Sequence, residues 1–261
     1  MNIEYEEMVV TFIDILGFKK LIESENIEEV RKIIDRFNGF KNLSMLCHKT
    51  GDPNNDAFNS ISASDAIIRL TRFPENYNKE QIIIKEIEVL ASIQLKLICD
   101  HKILIRGGLS IGKMYFNYNN RLTSFFGPAY IRAYEIESKT ASYPRIVIDK
   151  KLKTEKFDKI NNSLISSDIE GDLFIDYLEK YNSNEEPNDF LEQYCIEEHN
   201  EHYLKKHKNS IVQLINESEN ITKSIKDKYL WLALYHNKHC MKNNYSVDCM
   251  IDSITINQLI P

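Results

Sequence analysis

Two aspartates, Asp14 and Asp65, have the residue type and the positions that best fit chemistry. Asp14 stands in the apolar segment FIDILGF, which predicts the end of a buried strand followed by a turn at Gly17. Asp65 lies in the polar stretch SASD, directly before the apolar AIIRL. Burying a lone carboxylate is costly unless its charge is compensated. Mg²⁺ takes oxygen ligands, often one or two carboxylates together with substrate phosphates, so the pair predicts a divalent-cation site for a phosphate-bearing substrate.

The same two residues also allow a purely structural interpretation. Aspartate is a common helix N-cap and a common turn residue. Asp14 could cap the helix that follows it, and Asp65 could occupy a turn. Spacing alone favours this interpretation.

The turn after Asp14 predicts an anion-binding feature. Leu16, Gly17 and Phe18 are expected at the start of a helix, where backbone N–H groups point towards an anion. Gly17 has no Cβ and lets the backbone approach a ligand closely.

Arg106, in the segment IRGGLSIG, has two interpretations. It could position a phosphate group, or it could pair structurally with a carboxylate on the interior of the sheet. Trp231 shares helical spacing with Leu230 and Leu234 and is expected to be a packing anchor.

The histidines of the second half form no compact metal motif. A zinc site would need to combine residues from two predicted helices, and surface histidines are therefore the expected interpretation. The residues concerned are His199, His202, His207, His236, His239 and Cys240.

The elements that must position these residues follow from the hydrophobic pattern. The pattern predicts, in order, a strand over 8–16, a long helical stretch, two strands around SASD, a helix KEQIIIKEIEVLASIQLKLICDH and the strand KILIRGGLSIGKMYF. The paired glycine of that last strand predicts a close backbone contact. A helix from Gly127 and the strand YPRIVIDKKL follow. This β-α-β-β-α-β order predicts an α+β sandwich with a ferredoxin-like core and a mostly antiparallel sheet.

The pattern of expected elements changes after about residue 150. A hairpin with its turn at Glu170-Gly171 and two helices are expected there. We therefore predict a catalytic core over 1–150 and a C-terminal hairpin and helical extension over 151–261, packed on the core.

Composition excludes several classes of protein. The net charge of −6 argues against a protein that coats a nucleic-acid polymer. There is no signal-like N-terminus and no run of about 18 apolar residues, so no membrane span is expected. The five cysteines are odd in number and lack CxxC spacing, which predicts reduced thiols in a cytoplasmic protein.

The order of five segments resembles the catalytic domain of class III nucleotide cyclases, over residues 8 to about 150. The segments are FIDILGF, SASDAII, IRGGLSIG, FFGPAYIRAYEIES and PRIVID. The resemblance implies two Mg²⁺ or Mn²⁺ ions per active site, bound by Asp14 and Asp65 with the backbone carbonyl of Ile15. One metal would lower the pKa of the ribose 3′-hydroxyl, and the other would hold the triphosphate while pyrophosphate leaves. It also implies a homodimer with active sites between the subunits.

Departures from the family pattern bear on the substrate. The positions at which purine cyclases carry a base-reading Lys and Asp hold Ile61 and Ser124 here, and a smaller pocket with a hydroxyl could suit a pyrimidine. The positions of the family's Asn and Arg on the following helix hold Ile131 and Glu135. Arg132 is the nearest cation, about 100° around the helix from the Asn position. It either substitutes for the missing group or faces solvent.

A subgroup fits these departures. FIDILGF, GPAYIRAYEIES, YPRIVID and KYLWLALYHN resemble the pyrimidine cyclases of bacterial anti-phage systems, the Pycsar cyclases. That resemblance implies conversion of UTP or CTP to cyclic UMP or cyclic CMP, which activates a separate effector protein, with UTP favoured. The alternatives are a catalytically inactive cyclase-like regulator that binds nucleotide, and a purine cyclase.

Overall fold

A mixed β-sheet forms the centre of the protein. The computed structural model describes residues 4–23, 26–45, 55–75, 77–119, 122–152, 163–181, 200–217 and 222–260. Its strands are β1 Glu6–Ile15, β2 Phe58–Ala63, β3 Ala66–Arg72, β4 Ile105–Asn119, β5 Leu122–Phe126, β6 Ile146–Ile148, β7 Ile165–Ser167 and β8 Leu173–Ile175. The spatial order is β2-β3-β1-β4-β6-β8-β7, and β5 pairs with β4.

The four strands β2-β3-β1-β4 at one end of this order confirm the predicted ferredoxin-like core. The pairs β2–β3, β3–β1 and β1–β4 are all antiparallel. With helices between β1 and β2 and between β3 and β4, this is the ferredoxin-like β-α-β-β-α-β arrangement, and the fold class is α+β. Strand β6 then joins β4 in parallel after a helical crossover.

Helices cover the sheet on both faces. The helices are α1 Phe18–Glu23, α2 Ile27–Gly39, α3 Lys79–His101, α4 Pro128–Lys139, α5 Asn200–Asn216, α6 Lys223–Lys242 and α7 Ser253–Asn257. Successive side chains of β1 point to opposite faces of the sheet. Val9 and Ile13 pack in the large core with α3, whereas Val10 and Phe12 pack in a second core with α4. The side chain of Asp14 lies on the same face of β1 as Val10 and Phe12, the face that α4 covers.

The long helical stretch predicted after Gly17 divides into α1 and α2. Asn26 is the N-cap of α2, and its side-chain oxygen accepts a hydrogen bond from the Glu29 N–H at 3.1 Å. An N-cap satisfies an N–H group that has no partner inside the helix, so it allows a new helix to begin at this point.

The predicted C-terminal hairpin is present as β7 and β8, and Gly171 adopts a left-handed φ of 77° in its turn. Strand β8 pairs with β6, so the hairpin continues the sheet of the core. Trp231 of α6 stacks on Tyr143 and Tyr235, which confirms it as a packing anchor. Residues 190–199, expected to be helical, lie outside the described residues. The division at residue 150 stays a prediction.

The prediction that the histidines lie at the surface is wrong for His207, His236 and His239, which are buried. His207 lies on the same face of α5 as Tyr203, Leu204 and Ile211, so burial of that apolar face buries the imidazole with it. His202 is exposed as predicted, and His199 lies outside the described residues.

Two further predictions can be compared with the structure. Cys99, Cys240 and Cys249 are free thiols, as expected, and Cys47 and Cys195 lie outside the described residues. Among the described helices, none has both the length and the hydrophobicity that a bilayer span requires.

Candidate metal and nucleotide site

Asp14 lies at the end of β1, between its two neighbouring strands. It pairs in register with Ala66 of β3 and with Arg106 of β4. The Asp14 side chain is 20% exposed, and its Oδ2 accepts a hydrogen bond from Arg106 Nη2 at 3.3 Å. The carboxylate is therefore turned towards β4, within the sheet layer that packs against α4.

Asp65 reaches the same place through a tight turn. Ser64 and Asp65 form the two-residue turn between β2 and β3, and Ser64 has a left-handed φ of 56°. The Ile15 N–H donates to the Asp65 carbonyl oxygen at 3.2 Å and holds the turn against the end of β1. The carboxyl groups of Asp14 and Asp65 come within hydrogen-bonding reach of each other. The left-handed backbone conformation of Ser64 is strained. Strain of this kind persists where the surrounding structure fixes it, and it is concentrated at functional sites.

Glu137 of α4 is a third carboxylate in this site, and sequence reasoning missed it. Its side chain is only 3% exposed, and its Oε1 forms an ion pair with Arg106 Nε at 2.7 Å. The signal was present in the spacing: Ala129, Ala133 and Glu137 recur every four residues on the buried face of α4.

The close approach of α4 to β4 explains how Glu137 reaches Arg106. A Cβ atom at Gly108 would lie 2.2 Å from the Ala133 carbonyl oxygen and 2.8 Å from the Glu137 nitrogen. Only glycine leaves room for the helix here. The paired glycine therefore makes the close backbone contact that its sequence predicted, and it places α4 directly above Arg106.

The site carries more negative than positive charge. Among the described residues, three carboxylates, those of Asp14, Asp65 and Glu137, lie close together with one guanidinium, that of Arg106. Burial, followed by the charges of Asp65 and Glu137, raises the pKa of Asp14 from its ordinary 3.8 to about 7, against the opposing effect of Arg106. Burial also raises the pKa of Glu137, and Arg106 again opposes the shift. The arrangement can therefore accept additional positive charge.

This donor set fits a divalent metal such as Mg²⁺ or Mn²⁺. Both ions prefer carboxylate and carbonyl oxygens, and the excess of carboxylates supplies charge that a cation would neutralise. Asp14 and Asp65 are the residues that would hold it. The participation of the Ile15 carbonyl stays a prediction.

The turn after β1 is open at Gly17, which is exposed and has a left-handed φ of 82°. The Leu16 N–H donates to the Leu104 carbonyl oxygen at 2.9 Å, so it is already engaged. Phe18 is buried and begins α1, which has six residues. The N–H groups of Gly17 and Phe18 remain the expected contributors to anion binding from this turn.

The predicted base-pocket residues lie on other strands. Ile61 of β2 is half-buried against the core beneath α4, and Ser124 of β5 is exposed opposite Asn117. The structure does not bring Arg132 to the aspartates. Its guanidinium forms two hydrogen bonds of 2.9 and 2.8 Å with Asp149.

Two other groups of acidic side chains in the described residues could hold a cation by geometry alone. In the first, Asp176 accepts hydrogen bonds from Tyr235 and Ser166, and Glu179 pairs with Lys242 and His239. In the second, salt bridges join Asp168 to Arg145 and Asp172 to Lys150. Because protein partners already compensate these carboxylates, neither group matches the charge excess at Asp14.

Comparisons with known proteins give structural similarity only. No protein-family model and no curated protein sequence matches the chain. Among solved structures, the adenylyl cyclase CyaB from P. aeruginosa has a TM-score of 0.49 at 12% identity, over 67% of this chain and 96% of that one. The guanylyl cyclase Cya2 has a TM-score of 0.46 at 15% identity, over 67% of this chain and 93% of that one. A dimeric guanylyl cyclase domain from the RhoGC fusion protein of the aquatic fungus Blastocladiella emersonii has a TM-score of 0.46 at 17% identity, over 66% and 97%.

Proposed function

We propose that this protein is a metal-dependent nucleotide cyclase that converts UTP or CTP to the 3′,5′-cyclic nucleotide and pyrophosphate. One observation carries the proposal. Asp14 and Asp65 meet at the turn after β1 in a site whose negative charge exceeds its positive charge. A triphosphate is itself an anion, so such a site favours a nucleotide only together with cations.

The residues of the chain have distinct tasks in this proposal. Bound Mg²⁺ or Mn²⁺, two ions per active site, would supply Lewis acidity towards the 3′-hydroxyl and the phosphates. Asp14 and Asp65 hold the ions, which requires Asp14 to lose its proton. Arg106 keeps Asp14 oriented through its Nη2, and Glu137 forms an ion pair with the Nε of the same guanidinium. Gly17 and Phe18 provide backbone N–H groups for the phosphates.

The preference for a pyrimidine rests on what the base pocket lacks. Ile61 and Ser124 occupy the two positions where the resembled purine cyclases carry Lys and Asp. An aliphatic side chain cannot take over the hydrogen bonds of a lysine, so discrimination in favour of a purine is lost. We favour UTP over CTP as the substrate.

A homodimer follows from where the base-pocket residues lie in this proposal. Ile61 and Ser124 of one subunit would supply the base pocket beside the metal site of its partner. Exposed apolar side chains are available for such an interface, directly before β1, on the β4–β5 ribbon and on α4. They are Tyr5, Tyr118, Phe126, Ile131 and Tyr134. Large exposed apolar groups of this kind mark interaction sites.

The biological role proposed here is antiviral. The cyclic pyrimidine nucleotide would act as a second messenger in the bacterial cytoplasm and activate a separate effector protein. This part of the proposal is supported by the resemblance of FIDILGF, GPAYIRAYEIES, YPRIVID and KYLWLALYHN to anti-phage pyrimidine cyclases.

The test is pyrophosphate release from ATP, GTP, CTP and UTP separately with Mn²⁺, followed by mass identification of the product. We expect a cyclic product from UTP or CTP. Asp14→Ala and Asp65→Ala should each abolish turnover, while Asp35→Ala, which removes an exposed carboxylate of α2, should not. Conversion of ATP alone would identify a purine cyclase instead.

A second candidate function is a catalytically inactive regulator that binds nucleotide. Its support is the commitment of Arg132 to Asp149, because Ile131 and Glu135 occupy the positions of the family's Asn and Arg. Tight nucleotide binding without release of pyrophosphate would favour this function over the cyclase.

A further inference from the structure

A cavity of about 630 Å³ lies between the core and the C-terminal helices. Its walls come from the turn after β1, α2, the end of α3, and parts of α5 and α6. The cavity shares the turn after β1 with the Asp14 site, because Leu16, Gly17 and Phe18 line it, but it extends from the opposite face of the sheet. Ile15 lines it, and Ile15 points to the opposite face of β1 from Asp14.

Positive charge is concentrated around this cavity. Five Lys or Arg side chains line it, against the two carboxylates of Glu29 and Glu217. The five are Lys20, Lys32, Arg36, Lys102 and Lys228. The whole chain has a net charge of −6, so a cationic cavity runs against the average composition of the molecule.

Most of these cations have no carboxylate partner among the residues that the structure describes. Lys32 pairs with Glu28 at 2.9 Å. Within the described part of the chain, none of Lys20, Arg36, Lys102 and Lys228 forms an ion pair. They belong to four different segments, so an anionic ligand in the cavity could be attracted by all four charges at once.

Lys228 is the most informative of the four. It is half-buried, and its amino group contacts the Ser224 hydroxyl at 3.4 Å. Burial and the charge of Arg106 lower its pKa. Holding an uncompensated ammonium group away from water is unfavourable, and a bound anion would offset the cost.

The chemistry of the lining defines the ligand. Leu21, Ile33, Leu214, Ile225 and Tyr229 supply apolar surface between the cations. The volume is within the range of small-molecule sites. A phosphate-bearing molecule of the size of a nucleotide matches both the charge and the apolar surface, and a bare polyphosphate matches the charge alone.

We infer that this cavity binds a phosphate-bearing small molecule, which joins the C-terminal helices to the core. The ligand would touch Lys228 on α6, Arg36 on α2 and the turn after Asp14 at once. Occupancy would therefore hold the C-terminal helices against the turn. This inference does not rest on the proposed cyclase activity, because the binding needs neither a metal nor turnover.

The experiment is titration calorimetry of inorganic tripolyphosphate into the full chain in EDTA, which keeps divalent metal away from the aspartates. We expect one molecule bound per protomer. Arg36→Gln and Lys228→Gln should each raise the Kd by about tenfold, because each removes a charged hydrogen-bond donor. The matched controls, Arg31→Gln on α2 and Lys226→Gln on α6, leave the cavity wall intact and should leave the Kd unchanged.

Further arms identify the site and the ligand. Asp14→Asn should retain binding, since Asp14 does not line the cavity. Tighter binding of UTP or ATP than of tripolyphosphate, with no binding of uridine, would identify a nucleotide, and equal binding would identify the bare polyphosphate chain. No binding to the wild type, equal binding by the Arg36 and Lys228 variants, or loss of binding in Asp14→Asn would each overturn the inference. Arg36 is exposed, so its variant keeps the test valid if Lys228→Gln does not fold.

Discussion

Asp14 lowers the stability of the metal-free protein at neutral pH. Its pKa is raised from 3.8 to about 7, so the folded state binds a proton more tightly than the unfolded state does. The sign of the effect follows from linkage. The contribution of Asp14 to stability is greatest below about pH 4 and is lost as the pH rises from there towards 7, where the carboxylate must ionise beside Asp65 and Glu137.

Replacing Asp14 by Asn should therefore stabilise the metal-free protein. The amide has nearly the same shape and no charge, and we expect a gain of about 2 kcal/mol at pH 8 in EDTA. Urea denaturation measures it, with the exposed Asp35→Asn as the control. Mn²⁺ should raise the melting temperature of the wild type and not that of Asp14→Asn, because a ligand that binds the folded state stabilises it. A less stable variant in EDTA would contradict this account of the site.

The residues of this site differ in how well the sequence reveals them. Asp14 and Asp65 are conspicuous because each interrupts an apolar segment. The burial of Glu137 is hidden: its spacing places it on the face of Ala129 and Ala133, but a charged residue on an amphipathic helix is ordinarily solvated, and its burial depends on the contact of α4 with Gly108. The pairing of Arg132 with Asp149 is equally hidden, because the two residues belong to different elements.

Gly108 connects a helix and a strand that must touch for Arg106 to meet Glu137. Gly108→Ala should destabilise the protein by about 1–3 kcal/mol, because the added methyl group overlaps the backbone of α4. Gly112→Ala is the matched control on the same strand. A Cβ there would lie 3.6 Å from the Ala129 Cβ, which is an ordinary contact. Comparable urea midpoints for the two variants would show that α4 can move away without cost.

A chain of hydrogen bonds crosses the interface between α5 and α6, and its proton positions can be assigned. His236 Nε2 lies 2.8 Å from the Cys249 carbonyl oxygen, so it must donate. His236 Nδ1 must then accept from His207 Nδ1 at 2.9 Å. His207 Nε2 in turn accepts from the Tyr177 hydroxyl, also at 2.9 Å. Both imidazoles are neutral in this arrangement, and a proton added to His236 Nδ1 would place two N–H groups face to face.

This chain should make the protein sensitive to acid. Burial, with the nearby charges of His239 and Lys208, lowers the pKa of His236 from 6.5 to about 4, and burial lowers that of His207 as well. The unfolded state therefore binds more protons, and stability falls as the pH drops from about 6.5 towards 4. We expect a loss of about 1–2 kcal/mol at pH 5 relative to pH 7.5 from these histidines.

The double variant His207→Leu/His236→Leu should lose this part of the pH dependence, although it is less stable overall. The measurement is the difference between urea unfolding free energies at pH 7.5 and pH 5, which separates the titration from the loss of packing. His202→Gln, an exposed histidine on α5, is the control. An unchanged slope in the double variant would mean that other groups titrate in its place.

The order and type of the elements could largely be predicted, because periodicity is a local property of the sequence. The helix over Lys79–His101 and the two strands around Ser64 and Asp65 are where the pattern placed them. The division of α1 from α2 depends on the capping interaction at Asn26. The pairing of β8 with β6 and the burial of the histidines depend on contacts between distant segments, which periodicity does not record.

On the scale of the molecule, the sheet separates two kinds of surface. The α4 side carries the aspartates and the exposed apolar groups of α4 and the β4–β5 ribbon. The opposite side carries α1–α3, and the cationic cavity lies beyond it against α5 and α6. If the α4 side joins two subunits, the C-terminal helices stay free to bind a ligand without competing with the dimer.

A shared active site makes a prediction that a single-chain site cannot satisfy. Asp14→Ala removes the metal site of its own subunit, and Ile61→Arg blocks the base pocket that the same subunit offers to its partner. Each variant alone should be inactive. In a mixed dimer, one of the two sites combines two defects and the other is intact. An equal mixture that exchanges subunits freely should therefore recover about a quarter of the wild-type rate.

Recovery should be measured as pyrophosphate release from UTP after the two variants are unfolded together and refolded. A mixture of Asp14→Ala with Asp65→Ala is the matched control, and it should stay inactive because neither mixed site then has both aspartates. Recovery only in the first mixture requires that the aspartates of one subunit work with Ile61 of the other. Activity in Ile61→Arg alone, or no recovery in the first mixture, would place the base pocket elsewhere.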